Sequence, residues 1–277
     1  MKDNKKLLDV LEKAKTKREI EEILLESTDE ELLYHFSEVR ENILNWYPFD
    51  GTESFLEIGS ECGALTGMLC EKVGNVVAVE TDSIMNEVNK KRNENHENLE
   101  IFDKTVDELR EKTYQYISLI GTLERIEKYF GSSDVEGFLA RIKSILEENG
   151  TLFIAVDNKF SMKKWLGCDK SNEEEGLESF DKGYSYRELK EILEKAGFEE
   201  IKFLFPNPDY EFPLEIFDES RVPKSGFLKS PLESYYSDRM ITFDEMKALL
   251  HGMQERNPAV TNLINAFNLV LVDPQQK

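Results

Sequence analysis

Two glycines and one acid, spaced around a strand-to-helix turn, are the part of this sequence whose residue types can do chemistry. The stretch Phe55-Leu56-Glu57-Ile58-Gly59-Ser60-Glu61-Cys62-Gly63-Ala64-Leu65-Thr66 runs from an apolar strand-like segment through a glycine-bearing turn into a helical pattern. Gly59 and Gly63 remove the side chains that would keep a ligand from the backbone amides. The helical segment starting near Ala64 turns its unpaired N–H groups toward the same place, where they favour a carboxylate. After the next apolar run, Val76-Val77-Ala78-Val79, comes Glu80, a carboxylate placed to accept both hydroxyls of a ribose. A single acid at a strand end is ordinary surface chemistry. Strand, glycine turn, helix, strand and terminal acid in that order read as a nucleoside site. The third glycine of a dinucleotide-binding turn is missing, because Glu61 and Ala64 stand where G-x-G-x-x-G needs glycine, and this weakens a dehydrogenase reading.

A parallel sheet is needed to hold such a turn, and the chain supplies its elements. Phe55–Ile58, Val76–Glu80, Leu99–Phe102, Tyr116–Ile120 and Thr151–Val156 read as strands; Leu65–Val73, Ser83–Asn93, Val106–Glu111 and Val135–Glu148 read as the helices between them. Alternation of this kind specifies an α/β sheet covered on both faces. Ser185–Ala196, closed by Gly197, gives a further helix, and Ile201–Phe205 and Phe267–Val272 two further strands. Residues 1–50 read as a helical extension. In it Leu32, Phe36, Val39, Ile43 and Trp46 form one apolar stripe, and Thr28 with Glu31 a capping box; Ser133 with Glu136 forms another, and Gly74 and Gly150 sit where helices end in a left-handed residue. Residues 51–277 then form the α/β domain, with polar excursions at about 157–183 and 206–266 that cover or shape a site.

Composition removes several functions. The chain has 277 residues, 35 Lys and Arg against 56 Asp and Glu, and a formal charge of −21. That balance argues against broad phosphate-backbone binding, so no nucleic-acid partner is expected. The charged start Met1–Lys6 has no long apolar run after it, so neither a secretory leader nor a membrane span is expected. Cys62, Cys70 and Cys168 are too scattered for a disulfide framework or a metal site. A reduced, cytoplasmic protein is the economical expectation.

The pattern Glu57-x-Gly59-x-x-x-Gly63 resembles motif I of the class I S-adenosylmethionine-dependent methyltransferases, and the resemblance continues downstream. Val77–Glu80 looks like motif II, Ile117–Glu124 like the fourth strand and the loop passing the cofactor, Asn149–Ile154 like the fifth strand, and Ala196-Gly197-Phe198 like the entry to the sixth. The resemblance implies a Rossmann-like, seven-stranded, mostly parallel sheet whose last strand, Phe267–Val272, is inserted antiparallel. It implies S-adenosylmethionine as cofactor, held by Glu57, Gly59, Ser60, Cys62, Gly63, Glu80, Thr81, Thr105, Gly121 and Thr122. Arg40-Glu41-Asn42-Ile43, Trp46-Tyr47-Pro48-Phe49 and Pro206-Asn207-Pro208-Asp209-Tyr210 are similar to segments of bacterial methyltransferases associated with cell-surface polysaccharide synthesis. Three positions depart from the family pattern: Glu61 replaces the middle glycine, Gln115 the acid that starts strand four, and Thr105 the acid or amide near the adenine.

Methyl transfer from a sulfonium is an in-line displacement that needs chiefly proximity and orientation. A base is required only where the acceptor must lose a proton, and no histidine among His35, His96 and His251 stands out as one. Acceptor contacts are expected from Tyr47, Glu124, Asn158 and Lys159, with Lys163, Lys164 and Trp165 nearby; Trp46 reads as a lid fixing the helical extension to the sheet. The leading expectation is an enzyme acting on a small-molecule or glycan hydroxyl. A methyltransferase-like binding or scaffold subunit without turnover is the alternative motivated by Glu61, Gln115 and Thr105. An RNA adenine methyltransferase is the third reading, weakened because Gly121-Thr122-Leu123-Glu124 replaces the Asn-x-Pro-Tyr type of motif.

Overall fold

Runs rich in β-branched and aromatic residues pair side by side. In the computed structural model they form strands β1 (Ser54–Ile58), β2 (Asn75–Val79), β3 (Leu99–Phe102), β4 (Tyr114–Ile120), β5 (Leu146–Ala155), β6 (Ile201–Asn207), β7 (Glu215–Asp218) and β8 (Leu269–Val272). The structure describes residues 5–14, 16–103, 105–109, 112–159, 183–207, 209–221 and 269–272. One sheet contains all eight strands, in the order β3-β2-β1-β4-β5-β8-β6-β7. The first five are parallel. β8 lies antiparallel between β5 and β6, and β7 forms an antiparallel hairpin edge on β6.

The helices are α1 (Lys5–Lys13), α2 (Lys17–Glu26), α3 (Glu30–Phe36), α4 (Asn42–Asn45), α5 (Thr66–Lys72), α6 (Ser83–Arg92), α7 (Ile126–Phe130), α8 (Val135–Ile145) and α9 (Tyr186–Lys195). Alternate residues of each strand feed opposite faces of the sheet. Leu56, Ile58, Val77, Val79, Ile117 and Leu119 pack with Phe138, Leu139 and Ile142 of α8 and Leu189 and Leu193 of α9. Phe55, Val76, Tyr116 and Phe153 pack the other way, against Leu65, Met68 and Leu69 around α5 and Ile43 and Leu44 of α4. A third cluster joins α1 to the turn and to α6 through Leu7, Leu11, Cys62 and Val88. The N-terminal helices are thus built onto the back of the glycine turn.

Several local expectations are corrected. The sheet has eight strands among the described residues instead of seven, because the chain after β6 turns straight back as β7. Pro206 does not end β6: β8 pairs only with Ile201–Leu204 and β7 pairs with Leu204–Asn207, so the proline is bonded on one side alone. The stripe from Leu32 to Trp46 is not one helix, since Ser37 caps a 3-10 turn at Glu38–Glu41 and breaks it. The caps lie one residue later than expected, at Asp29 and Asp134, whose carboxylates accept the first-turn amides. The third inter-strand helix is only a 3-10 turn at Val106–Glu108, and α8 stops at Ile145, where β5 begins. Neither Gly74 nor Gly150 is left-handed; each permits a close backbone approach, to Thr52 and Gln115 respectively. Trp46 is 45% exposed, so it is no lid; Tyr47 takes that role, its ring packed on Phe49, Tyr116 and Phe153. Cys168, Lys163, Lys164, Trp165, His251 and most of both excursions lie outside the described residues.

A pair of glycines separates backbone strain from crowding. Gly63 (φ +72°) has no room for a methyl group, which would collide with the Asn89 carboxamide, whereas Gly131 (φ +69°) faces open space. Gly131→Ala is expected to cost about 1–2 kcal/mol, the backbone term alone, and Gly63→Ala at least about 2 kcal/mol more. Urea unfolding of both variants checks this, and equal costs would contradict the packing described.

Candidate cofactor site

Strand order reverses between β1 and β4, which opens a crevice at the carboxyl ends of the central strands. The turn after β1 fills its floor. Gly59 (φ +84°), Glu61 (φ +46°) and Gly63 (φ +72°) are all left-handed, so the chain coils tightly and brings its amides together. Gly59 and Ser60 donate their N–H groups to the Val79 carbonyl, at 2.9 and 3.2 Å, which pins the turn to β2. Thr122, in the loop after β4, donates to the Ile58 carbonyl at 2.8 Å. A methyl group on Gly59 would stand 2.9 Å from that Thr122 hydroxyl, so the two loops meet only because position 59 is glycine.

Behind the turn runs a buried polar chain. Asn89 donates to the Thr66 hydroxyl (3.2 Å), and Thr66 donates to the Glu57 carboxylate (2.6 Å). Burial outweighs this hydrogen bond and pushes the Glu57 carboxyl up to about 7. The Glu57 carboxylate therefore ties α5 and α6 to β1, and the part of Glu57 that borders the hollow does so from within the wall.

Two further acids face the crevice, and both are already engaged. Glu80 is fully buried; it accepts from Tyr129 Oη (2.9 Å) and the Asp82 amide (2.8 Å) and pairs with Lys128 Nζ (2.6 Å). Glu61 Oε1 lies 2.7 Å from Arg125 Nη1, and Oε2 lies 4.0 Å from Arg40 Nη1. Those two guanidiniums overcome the burial penalty and hold the Glu61 carboxyl down to about 2. The segment Leu123–Phe130 therefore reaches both acids, Arg125 at one end and Lys128 with Tyr129 at the other. Tyr210 closes the far side, its hydroxyl 2.9 Å from where a Gly121 side chain would begin. The hollow left above Gly59 and Ser60 is about 10 Å³, room for roughly one water.

An open cradle was the expectation, and the protein's own side chains occupy it instead. The donor set still suits an adenosyl amino acid. Ser60 Oγ and Ser118 Oγ line the hollow, buried and without a partner among the described residues, and buried hydroxyls of that kind normally find one. The groups filling the slot are polar and in part exposed, Arg125 by 42% and Lys128 by 35%. A ligand that fits the slot must displace them.

The expected site residues divide accordingly. Gly59, Ser60, Glu80, Gly121 and Thr122 come together at the crevice, Gly63 faces Asn89 and Asn93 behind the turn, and Thr81 sits beside the Glu80 carboxylate at 3.5 Å. Cys62 does not; its thiol donates to Met85 Sδ in the helical cluster on the far side of the turn. Thr105 starts the 3-10 turn after β3 without capping it. Tyr47 stands at the amino-terminal half of the strands, its hydroxyl 3.3 Å from Thr151, away from the crevice. Lys159 is paired with Glu188 of α9, and Asn158 is buried in a bridge to Tyr184. Glu124 Oε1 accepts the Asp157 amide (2.6 Å), while Oε2 is buried and unpartnered among the described residues. Burial, and then Asp157, push this carboxyl up to about 7. His35 is buried and held neutral, its pKa brought down to about 4 by burial. Arg40, Arg125, Lys128, Tyr129 and Tyr210 are site residues missed by sequence reasoning. Only Arg40 and Tyr210 lay in segments already singled out, and their partners are set by tertiary contact.

Comparison with known proteins bears on the family and the fold. A family model described as a methyltransferase domain matches residues 20–202. Among solved structures, the chain is similar to a methyltransferase from Thermotoga maritima described as S-adenosylmethionine-dependent and a possible histamine N-methyltransferase. It is 16% identical, with 88% of this chain and 92% of that one covered and a TM-score of 0.51. It is similar also to a complex between the Haloferax volcanii Trm112 methyltransferase activator and a putative methyltransferase, at 14% identity, 86% and 90% coverage and a TM-score of 0.51. Haemonchus contortus phosphoethanolamine N-methyltransferase 1, in complex with phosphoethanolamine and S-adenosylhomocysteine, matches over 42% of this chain and only 25% of its own, at 19% identity and a TM-score of 0.38. No curated protein matches.

Glu57, the buried acid of β1 behind the turn, has a measurable signature. The unfolded chain releases the Glu57 proton near 4.5, the folded protein near 7. Between those values the folded state carries the extra proton, so this group makes stability fall as pH rises. Glu57→Gln, always neutral, is expected to remove a loss of up to about 3 kcal/mol between pH 4.5 and 7. Urea unfolding at both pH values checks it; an unchanged pH slope in the variant would contradict the assignment.

Proposed function

The chain belongs to the methyltransferase-domain family, and from that premise we propose that it transfers a methyl group to a small-molecule or glycan hydroxyl. S-adenosylmethionine is the cofactor, and it supplies an electrophilic methyl group on a sulfonium. The observation that carries the reading is the meeting, in one crevice, of the left-handed turn at 59–63 and the buried Glu80 at the end of β2. Gly59 gives the ligand access to backbone amides, and Glu80 is placed for the ribose hydroxyls once Lys128 moves aside. Ser60 and Ser118 offer hydroxyls to the amino-acid end. Around the acceptor, Glu124 and Asn158 follow β4 and β5, where the carboxyl edge of the sheet faces the cofactor's methyl group. Glu124, its carboxyl pushed up to about 7, is in part ionised near neutral pH, and in that carboxylate form it is suited to take a hydroxyl proton as the methyl group arrives.

The remaining parts of this proposal concern organisation. Residues 1–50 are a helical extension to a domain at 51–277 that carries insertions at about 157–183 and 206–266. The antiparallel β8 is the family's inserted last strand, and β7 is an added edge. Cell-surface polysaccharide synthesis is a setting consistent with the segments around Arg40, Trp46 and Tyr210. Among the described residues no helix is long and apolar enough to cross a membrane, and a cytoplasmic location is part of the proposal.

One observation favours a second reading. With the hollow near 10 Å³ and the Glu80 oxygens already bonded, a binding or scaffold subunit without turnover needs no slot at all. Isothermal titration with S-adenosylmethionine and S-adenosylhomocysteine separates the two. The enzyme reading expects saturable binding, weakened at least about tenfold in Glu80→Gln. No binding at millimolar ligand would leave the scaffold reading standing.

A further inference from the structure

Glu61 stands where the family pattern has glycine, in a left-handed backbone that strains a residue carrying a side chain. Something must hold it there. Its carboxylate is only 12% exposed, 2.7 Å from Arg125 Nη1 and 4.0 Å from Arg40 Nη1. Arg40 is buried too, its guanidinium 4.0 Å above the Tyr34 ring and 3.0 Å from the Tyr34 carbonyl. A buried guanidinium without an anion is strongly destabilising, so Arg40 needs a carboxylate near it. Arg125 is positioned through its Nε, which donates to the Gly121 carbonyl at 3.0 Å, four residues back in the same loop. Two cations thus converge on the turn from separate elements, and among the described residues the carboxylate paired with both is Glu61, which the turn itself carries.

We propose that Glu61 is an internal stand-in for the carboxylate of the cofactor's amino-acid end, and that it sets which adenosyl ligands the slot accepts. This inference rests on reading the turn as the cofactor site. With Glu61 seated on the arginines, an adenosyl thioether lacking the amino acid meets no competition. A ligand that brings its own carboxylate gains the arginines only by displacing Glu61, so the attraction it would otherwise feel is largely cancelled. The position that looks like a damaged motif is then a selectivity device, which lowers affinity for the amino-acid end while leaving the adenosine end untouched.

Two probes and two variants test this: isothermal titration of 5′-methylthioadenosine and S-adenosylhomocysteine into the full chain, Glu61→Gln and Glu61→Gly. The glycine variant relieves the backbone strain and guards against a folding failure of the glutamine one; thermal melts confirm that each is folded. The wild type is expected to bind the two ligands within about threefold of one another. Both variants are expected to bind S-adenosylhomocysteine about tenfold more tightly, with 5′-methylthioadenosine changed by less than about threefold. A wild type that already prefers S-adenosylhomocysteine tenfold, or variants that shift both ligands equally or neither, would overturn the role of Glu61 while leaving the cofactor site in place. Failure of both ligands to bind any of the three proteins would overturn the site as well.

Discussion

Three left-handed residues within five positions, Gly59, Glu61 and Gly63, are the constraint on which the rest of the structure depends. A chain coiled that tightly between β1 and α5 closes a backbone bond of its own, from the Gly63 amide to the Ser60 carbonyl at 2.8 Å, and is held further from outside. The Val79 carbonyl accepts from two of its amides, Thr122 clamps the end of β1, and the Asn89–Thr66–Glu57 chain fixes the helix that follows. Each tie comes from a different strand or helix. The parallel order β3-β2-β1-β4-β5 is the arrangement that delivers all of them to one point.

The same convergence explains the electrostatics of the crevice. Backbone amides and two arginines make the turn attractive to anions, and Glu61 and Glu80 are the anions within reach. Both are bonded to the segment Leu123–Phe130, so the slot closes on itself through ion pairs and a tyrosine hydroxyl and not through apolar packing alone. Both carboxylates are largely buried, so a pair broken without a replacement partner is costly. A cofactor that replaces them one for one, its carboxylate for Glu61 and its ribose for Lys128 at Glu80, opens the slot at small cost, so closure and cofactor use are compatible.

Much of this was legible in the sequence where the physics is local. Strand periodicity located β1 to β4 and β6 to within two residues, while β5 starts five residues before the expected Thr151; Gly59 and Glu80 marked a turn and a strand end that lie close together, because backbone freedom and a strand-end acid are properties of single positions. The misses are of another kind. Asp29 and Asp134 displaced the expected caps because a carboxylate one residue on accepts the same amides. The sixth strand was expected to end at Phe205, yet one-sided pairing carries it through Pro206 to Asn207. Cys62 and Tyr47 point away from the site because the helical extension packs on the back of the turn, which spacing does not reveal. Glu61 read as a departure from a motif; that it is matched by Arg40 and Arg125, the latter 64 positions downstream, is visible only in three dimensions.

A crystal structure of the protein grown with S-adenosylhomocysteine tests the account most directly. It should show the adenosine over Gly59 with its ribose at Glu80, and the Glu61–Arg125 pair broken. Crystals saturated with ligand in which that pair is intact and the crevice still holds only protein side chains would contradict it.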